Sequence, residues 1–90
     1  MDLKGKHAFV TGGGTGIGLA IAEMLAESGC AVTITGRRQE VLNEVARQGI
    51  TGVAMDVRDE ADQVAKIAQA VDARGPVQIC VANAGIAEGK

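Results

Sequence analysis

Tyrosine and tryptophan are absent from this 90-residue chain, and Phe9 is its only aromatic side chain. Stacking of bases on aromatic faces, a common grip on single-stranded nucleic acid, is therefore excluded, as is any reaction that needs a phenolic hydroxyl. The core is expected to consist of Val, Ile, Leu, Met and Ala. Cationic excess is missing as well: nine Lys and Arg stand against eleven Asp and Glu, a net charge of −2, which removes the electrostatic case for a nucleic-acid partner. Apolar runs are broken at Glu23, Gln78 and Asn83, short of the roughly 18 residues a membrane span needs, so no membrane partner is expected. Asp2 rules out the myristoylation pattern, and no basic, apolar, small-residue leader is read at the start. Cys30 and Cys80 are the only cysteines and His7 the only histidine. Neither cysteine belongs to a C-x-x-C pair, so zinc ligation and a disulfide scaffold are not indicated. Both cysteines read as small buried residues in a reducing compartment, which makes the cytoplasm the expected location. With one proline and 47% hydrophobic residues, the chain does not have the composition of a disordered segment, and its length suits one small domain.

What the chain does have is regular punctuation. His7 to Val10 is a short run that enters a glycine cluster at 12 to 18. Ile17, Ala20, Ile21, Met24 and Leu25 then fall at helical spacing, and Ser28-Gly29 closes that helix. Ala31 to Thr35 is short and β-branched, the pattern of a buried strand. Val41, Leu42, Val45 and Ala46 mark a second helix that ends at Gly49, and Ile50 to Met55 mark a third strand. Asp59 is a candidate N-cap, with Glu60 and Asp62 in the first turn, where negative charge suits the helix dipole. Ala61, Val64, Ala65, Ala68 and Val71 continue this third helix to Arg74, and Gly75-Pro76 ends it. Val77 to Val81 form a fourth strand, with Val77, Ile79 and Val81 expected on one face and Gln78 and Cys80 on the other. Strands alternating with helices imply a parallel sheet with right-handed crossovers. The fold class is α/β: the N-terminal half of a Rossmann-like doubly wound sheet, with expected strand order 3-2-1-4. The first two helices should cover one face and the third the other. That order sets the strands near Cys30 and Cys80 two spacings apart, about 9 to 10 Å, too far for a disulfide, which needs Cα atoms within about 7 Å.

The first strand runs directly into Thr11-Gly12-Gly13-Gly14-Thr15-Gly16-Ile17-Gly18, which opens the first helix. A tight strand-to-helix turn of glycines lets a diphosphate approach the free N–H groups at the positive end of the helix. Spacing separates the candidate motifs. A Walker A loop fails because Leu19 stands where lysine is required, and G-x-G-x-x-G fails because Ile17 and Leu19 occupy its last glycine in either register. T-G-x-x-x-G-x-G fits, carried by Thr11, Gly12, Gly16 and Gly18.

Together with that turn, three further features resemble the short-chain dehydrogenases/reductases: Leu3-Lys4-Gly5-Lys6 before the first strand, Asp56-Val57 after the third, and Ala82-Asn83-Ala84-Gly85 after the fourth. The resemblance covers the whole chain. It implies that Gly12, Gly16 and Gly18 shape the turn and that Thr15, Gly16 and Ile17 lie along the diphosphate. It implies also that Asp56 and the Val57 backbone meet the adenine, that Asn83 ties the central strands together, and that Ala84 and Gly85 line the cofactor ribose. Ala82 departs from the family's doubled asparagine.

In this architecture an acidic residue at the end of the second strand accepts from the free ribose 2′-hydroxyl of NAD, whereas a nearby arginine accommodates the 2′-phosphate of NADP. Here the strand ends in Thr35-Gly36-Arg37-Arg38. Gly36 occupies the acidic position, and Arg37 can present its planar fork to a phosphate. NADP is therefore the expected cofactor, with NAD the alternative. The family's catalytic Ser, its Y-x-x-x-K pair and a further Asn lie well beyond the fourth strand. This chain has no Tyr, its only Ser is Ser28 and Lys90 is its last residue. Residues 1–90 are thus expected to be the N-terminal dinucleotide-binding part of one Rossmann-type domain, cut short at the C-terminus and inactive alone. The parent is expected to be a homo-oligomeric oxidoreductase that transfers hydride between NADP(H) and a small carbonyl or secondary alcohol. The alternative is a non-catalytic nucleotide-binding module.

Overall fold

Branched apolar residues concentrate in four short segments, and these are the strands: β1 (His7–Thr11), β2 (Ala31–Gly36), β3 (Ile50–Ala54) and β4 (Ile79–Ala82). Three helices connect them: α1 (Gly16–Glu27), α2 (Gln39–Val45) and α3 (Glu60–Arg74). The computed structural model describes residues 3–12, 16–47, 49–56 and 58–82. The strands form one sheet in the order β3-β2-β1-β4, and every pairing is parallel. Central strands β1 and β2 are buried nearly end to end, as expected where helices cover both faces.

The main core lies on one face, where Ala8, Val10, Val32, Ile34 and Ile50 meet Ala22 of α1 and Leu42 of α2. On the opposite face a smaller cluster joins Phe9, Met55 and Ala70 of α3, with Val77 packed against it. The single aromatic residue is thus the centre of the second cluster, and the core is not purely aliphatic. His7 is buried on that face. Its Nδ1 lies 2.9 Å from the Gly75 carbonyl and its Nε2 2.8 Å from Thr33 Oγ1, so the ring ties β1 to β2 and to the end of α3.

Three expectations about facing need correction. α1 docks through Gly18 and Ala22, both buried, with Leu25 and Ala26 beside them, while Ile17 and Met24 are 69% and 60% exposed. The helix is apolar on nearly every side, so periodicity alone did not choose the face; the small residues did, by allowing close approach. α3 reverses expectation more fully. Val64, Ile67 and Val71 are exposed, and the half-buried side carries Asp62, Gln63 and Lys66 beside buried Ala70. Val77 precedes β4 and packs with Phe9, whereas Ile79 and Val81 pack on the main-core face. Cys80 is exposed and Cys30 buried, and both thiols are free. Burial pushes the Cys30 thiol up.

Candidate cofactor site

All four strands point the same way, so their carboxyl ends share one edge of the sheet. From β1 the chain steps outward to β2 and β3, then α3 returns it to the far side of β1. The order of the sheet reverses between β1 and β4, and such a switch point is where ligands bind in open α/β sheets.

The glycine turn stands at this point. Gly12 and Gly16 have φ of 66° and 60°, left-handed values that a side chain would strain. A Cβ on Gly16 would meet nothing within 4 Å, so the start of α1 is open to an approaching group. Gly18 is buried and Ile17 exposed. Gly16 thus offers space at a helix N-terminus, features that suit a diphosphate. Thr15 lies outside the described residues, as do Val57, Asn83, Ala84 and Gly85.

A cleft of about 350 Å³ opens at the same edge of the sheet, lined by Arg37, Ala54, Met55, Asp56, Asp62 and Lys66. Arg37 follows the end of β2 and Asp56 lies just beyond β3, and the two line one cavity. Among the described residues the Arg37 guanidinium has no hydrogen bond or salt bridge. Asp56 Oδ1 accepts from the Arg58 backbone N–H at 2.9 Å and from Arg58 Nε at 3.3 Å. These bonds, with a smaller contribution from the charge of Arg37, hold the Asp56 carboxyl below its usual range. The cleft therefore joins one free cation to an ionised acceptor, a pair suited to an anionic group beside a ring amine.

Asp62 and Lys66 are cleft residues that the sequence reading did not select; Asp62 was read only as a first-turn acid. Their four-residue spacing signals a pair on one helix face, but nothing in it says that the face points into a site. Asp59 does cap α3, accepting from the Asp62 N–H at 3.2 Å. Among the described residues there is no cluster of metal-binding side chains and no helix long and apolar enough to cross a membrane.

Comparison with known proteins agrees with this geometry. An NADP-dependent (R)-specific alcohol dehydrogenase from Lentilactobacillus kefiri is 47% identical over 98% of this chain. A 3-dehydrosphinganine reductase from Arabidopsis thaliana is 40% identical over 96%, and a 3alpha-hydroxysteroid dehydrogenase from Mediterraneibacter gnavus is 38% identical over 98%. The chain spans 37%, 27% and 38% of these relatives' lengths. A solved structure described as a short-chain dehydrogenase from Novosphingobium aromaticivorans superposes on 88% of the chain and 31% of its own length, with a TM-score of 0.83 and 29% identity. The short chain dehydrogenase family model matches residues 6–90, the stretch that holds the glycine turn, the Arg37–Asp56 cleft and all four strands, and the chain belongs to that family.

Proposed function

We propose that the chain is the cofactor-binding part of an NADP(H)-dependent oxidoreductase that acts on a carbonyl or secondary alcohol. When bound, the nicotinamide supplies or accepts the hydride. This chain's own residues bind and orient. Gly12, Thr15, Gly16, Ile17 and Gly18 receive the diphosphate at the α1 N-terminus, and Asp56 and Val57 hold the adenine. Arg37 clamps the 2′-phosphate, and Asn83, Ala84 and Gly85 lie along the cofactor ribose. The carrying observation is the Arg37 guanidinium, unpaired among the described residues, in the same cleft as Asp56, at a strand end where Gly36 replaces the acid that would select NAD. The NADP dependence of the Lentilactobacillus kefiri relative supports the choice. Lacking tyrosine, the 90-residue chain has no phenol to move the carbonyl proton and is inactive alone. A nucleotide-binding module without chemistry remains the second reading, favoured by the same absence.

Gly36→Asp tests the cofactor assignment. A Cβ at Gly36 meets only the tip of Leu42, at 3.3 Å, so the substitution is sterically accessible. Calorimetric titration should show NADPH weakened by about 10-fold or more while NADH holds or improves, because the new carboxylate repels the phosphate and accepts from the hydroxyl. Unchanged affinity for both cofactors would contradict the assignment.

A further inference from the structure

Asp62 makes two long-reach bonds at the cleft. Its Oδ2 accepts from the Asp56 backbone N–H at 2.9 Å, and its Oδ1 lies 3.0 Å from Lys66 Nζ. Lys66 Nζ donates as well to the Ala54 carbonyl at 3.0 Å. One i,i+4 pair on α3 thus grips the backbone on both sides of Met55, where β3 ends and the chain turns into the Asp56 loop. Asp62 and Lys66 side chains are 28% and 26% exposed, against 72% and 45% for Arg58 and Asp56 and 57% and 37% for Arg47 and Glu23. It is the most shielded salt bridge among the described residues, and so the one least weakened by solvent.

We propose that Asp62, braced by Lys66, is a positioning residue that presets Asp56 for the adenine end of the dinucleotide. The inference rests on the cofactor reading above and extends it to residues outside the family motif. Asp56 is held twice: its backbone N–H by Asp62, its Oδ1 by Arg58. Among the described residues its Oδ2 accepts no hydrogen bond, so one acceptor is left for a ligand. A strand-end loop without such ties must be ordered by the ligand at a cost to affinity. Two of the three Lys66 donors go to Asp62 and Ala54, whereas the Arg37 guanidinium makes no hydrogen bond among the described residues. The Asp56 N–H, with the Lys66 ammonium, holds the Asp62 carboxyl below its usual range.

The test uses the isotopically labelled chain. The Asp56 amide, bonded to Asp62, should be protected from solvent exchange, and that protection should be lost in Asp62→Ala while the Val10 and Ile34 amides stay protected. With adenosine 2′,5′-bisphosphate and ADP as probes, Asp62→Ala should weaken binding by about three- to tenfold. Pyrophosphate, which lacks the adenine, should bind as before. Asp62→Asn keeps an acceptor for the Asp56 N–H and should restore most of the affinity. Should Asp62→Ala lose the folded amide pattern, Lys66→Met carries the comparison, with an expected loss of about two- to threefold. A folded Asp62→Ala that binds both adenine probes like the parent chain overturns the proposal. Failure of the unsubstituted chain to bind any adenine probe overturns the cofactor reading and the positioning role with it. Protection of the Asp56 amide then distinguishes a purely structural tie from no tie at all.

Discussion

His7 commits both ring nitrogens, and the partners fix the tautomer. A carbonyl only accepts, so Nδ1 carries the proton toward Gly75 O; in the neutral ring Nε2 then accepts from the Thr33 hydroxyl. Thr33 is 1% exposed, so nothing replaces that donor if it is removed. Thr35, two residues on, is equally buried, yet its Oγ1 has no hydrogen-bond partner among the described residues. The two threonines should therefore respond oppositely to the same shape-conserving change. Thr33→Val should cost about 1–3 kcal/mol, because it strands a buried ring nitrogen, whereas Thr35→Val should be neutral or stabilising. Denaturant unfolding of both variants checks this, and equal losses would contradict the hydrogen-bond assignment. This is also where sequence reading runs short. His7 could be placed at the start of a strand, but its partners Thr33 and Gly75 lie 26 and 68 residues away, and no local pattern announces them.

At the scale of elements, α2 packs tightly on β3. A Cβ on Gly52 of β3 would lie 2.6 Å from the Leu42 Cβ and 3.4 Å from the Leu42 carbonyl oxygen, so the helix rests on the strand only because no side chain intervenes. Gln39, the first residue of α2, adds a second tie: its amide accepts from the Ala54 N–H and donates to the Gly52 carbonyl. It thereby occupies the outer edge of β3 as a neighbouring strand would, a cover for an otherwise open edge. Gly52→Ala should destabilise the chain by about 1–3 kcal/mol through overpacking, read as a lower denaturation midpoint; an unchanged midpoint would show that α2 rides freely on the sheet. Element order and the Asp59 cap were legible in the sequence because glycine punctuation, β-branched runs and capping residues are local, and the sheet order followed from the architecture the resemblance implies. The docked faces of α1 and α3 were not. On α1, Gly18 and Ala22 bring the helix close while the larger Ile17 and Met24 stay outside. On α3 the polar pair Asp62 and Lys66 is drawn inward by backbone groups of β3 and the Asp56 loop. Hydrophobic counting assigns no weight to either cause. For the site, Arg37 and Asp56 were legible because each follows a strand end, whereas Asp62 and Lys66 belong to it only through bonds to backbone.

For the molecule as a whole, coverage of the sheet is uneven. The main core beneath α1 and α2 is broad, while on the opposite face the apolar cluster among the described residues is Phe9, Met55 and Ala70, with Val77 at the margin. α3 leaves Val64 65% exposed and Ile67 40% exposed, and β4 pairs only with β1 among the described residues. Open apolar surface next to an unpaired strand edge favours association. Sedimentation of the 90-residue chain at micromolar concentration should show self-association that Val64→Lys reduces; a monomer with a cooperative unfolding transition would show that the half-covered sheet is self-sufficient. The proposed function places NADP(H) across the carboxyl ends of β1, β2 and β3, with the 2′-phosphate on Arg37. The most direct test is the affinity of Arg37→Ala for NADPH and NADH, measured side by side by calorimetry. A charge-assisted hydrogen bond is worth about 1.5–3 kcal/mol, so NADPH should weaken by about 10- to 150-fold while NADH stays within a few-fold. Equal losses for the two cofactors, or none for NADPH, would contradict it.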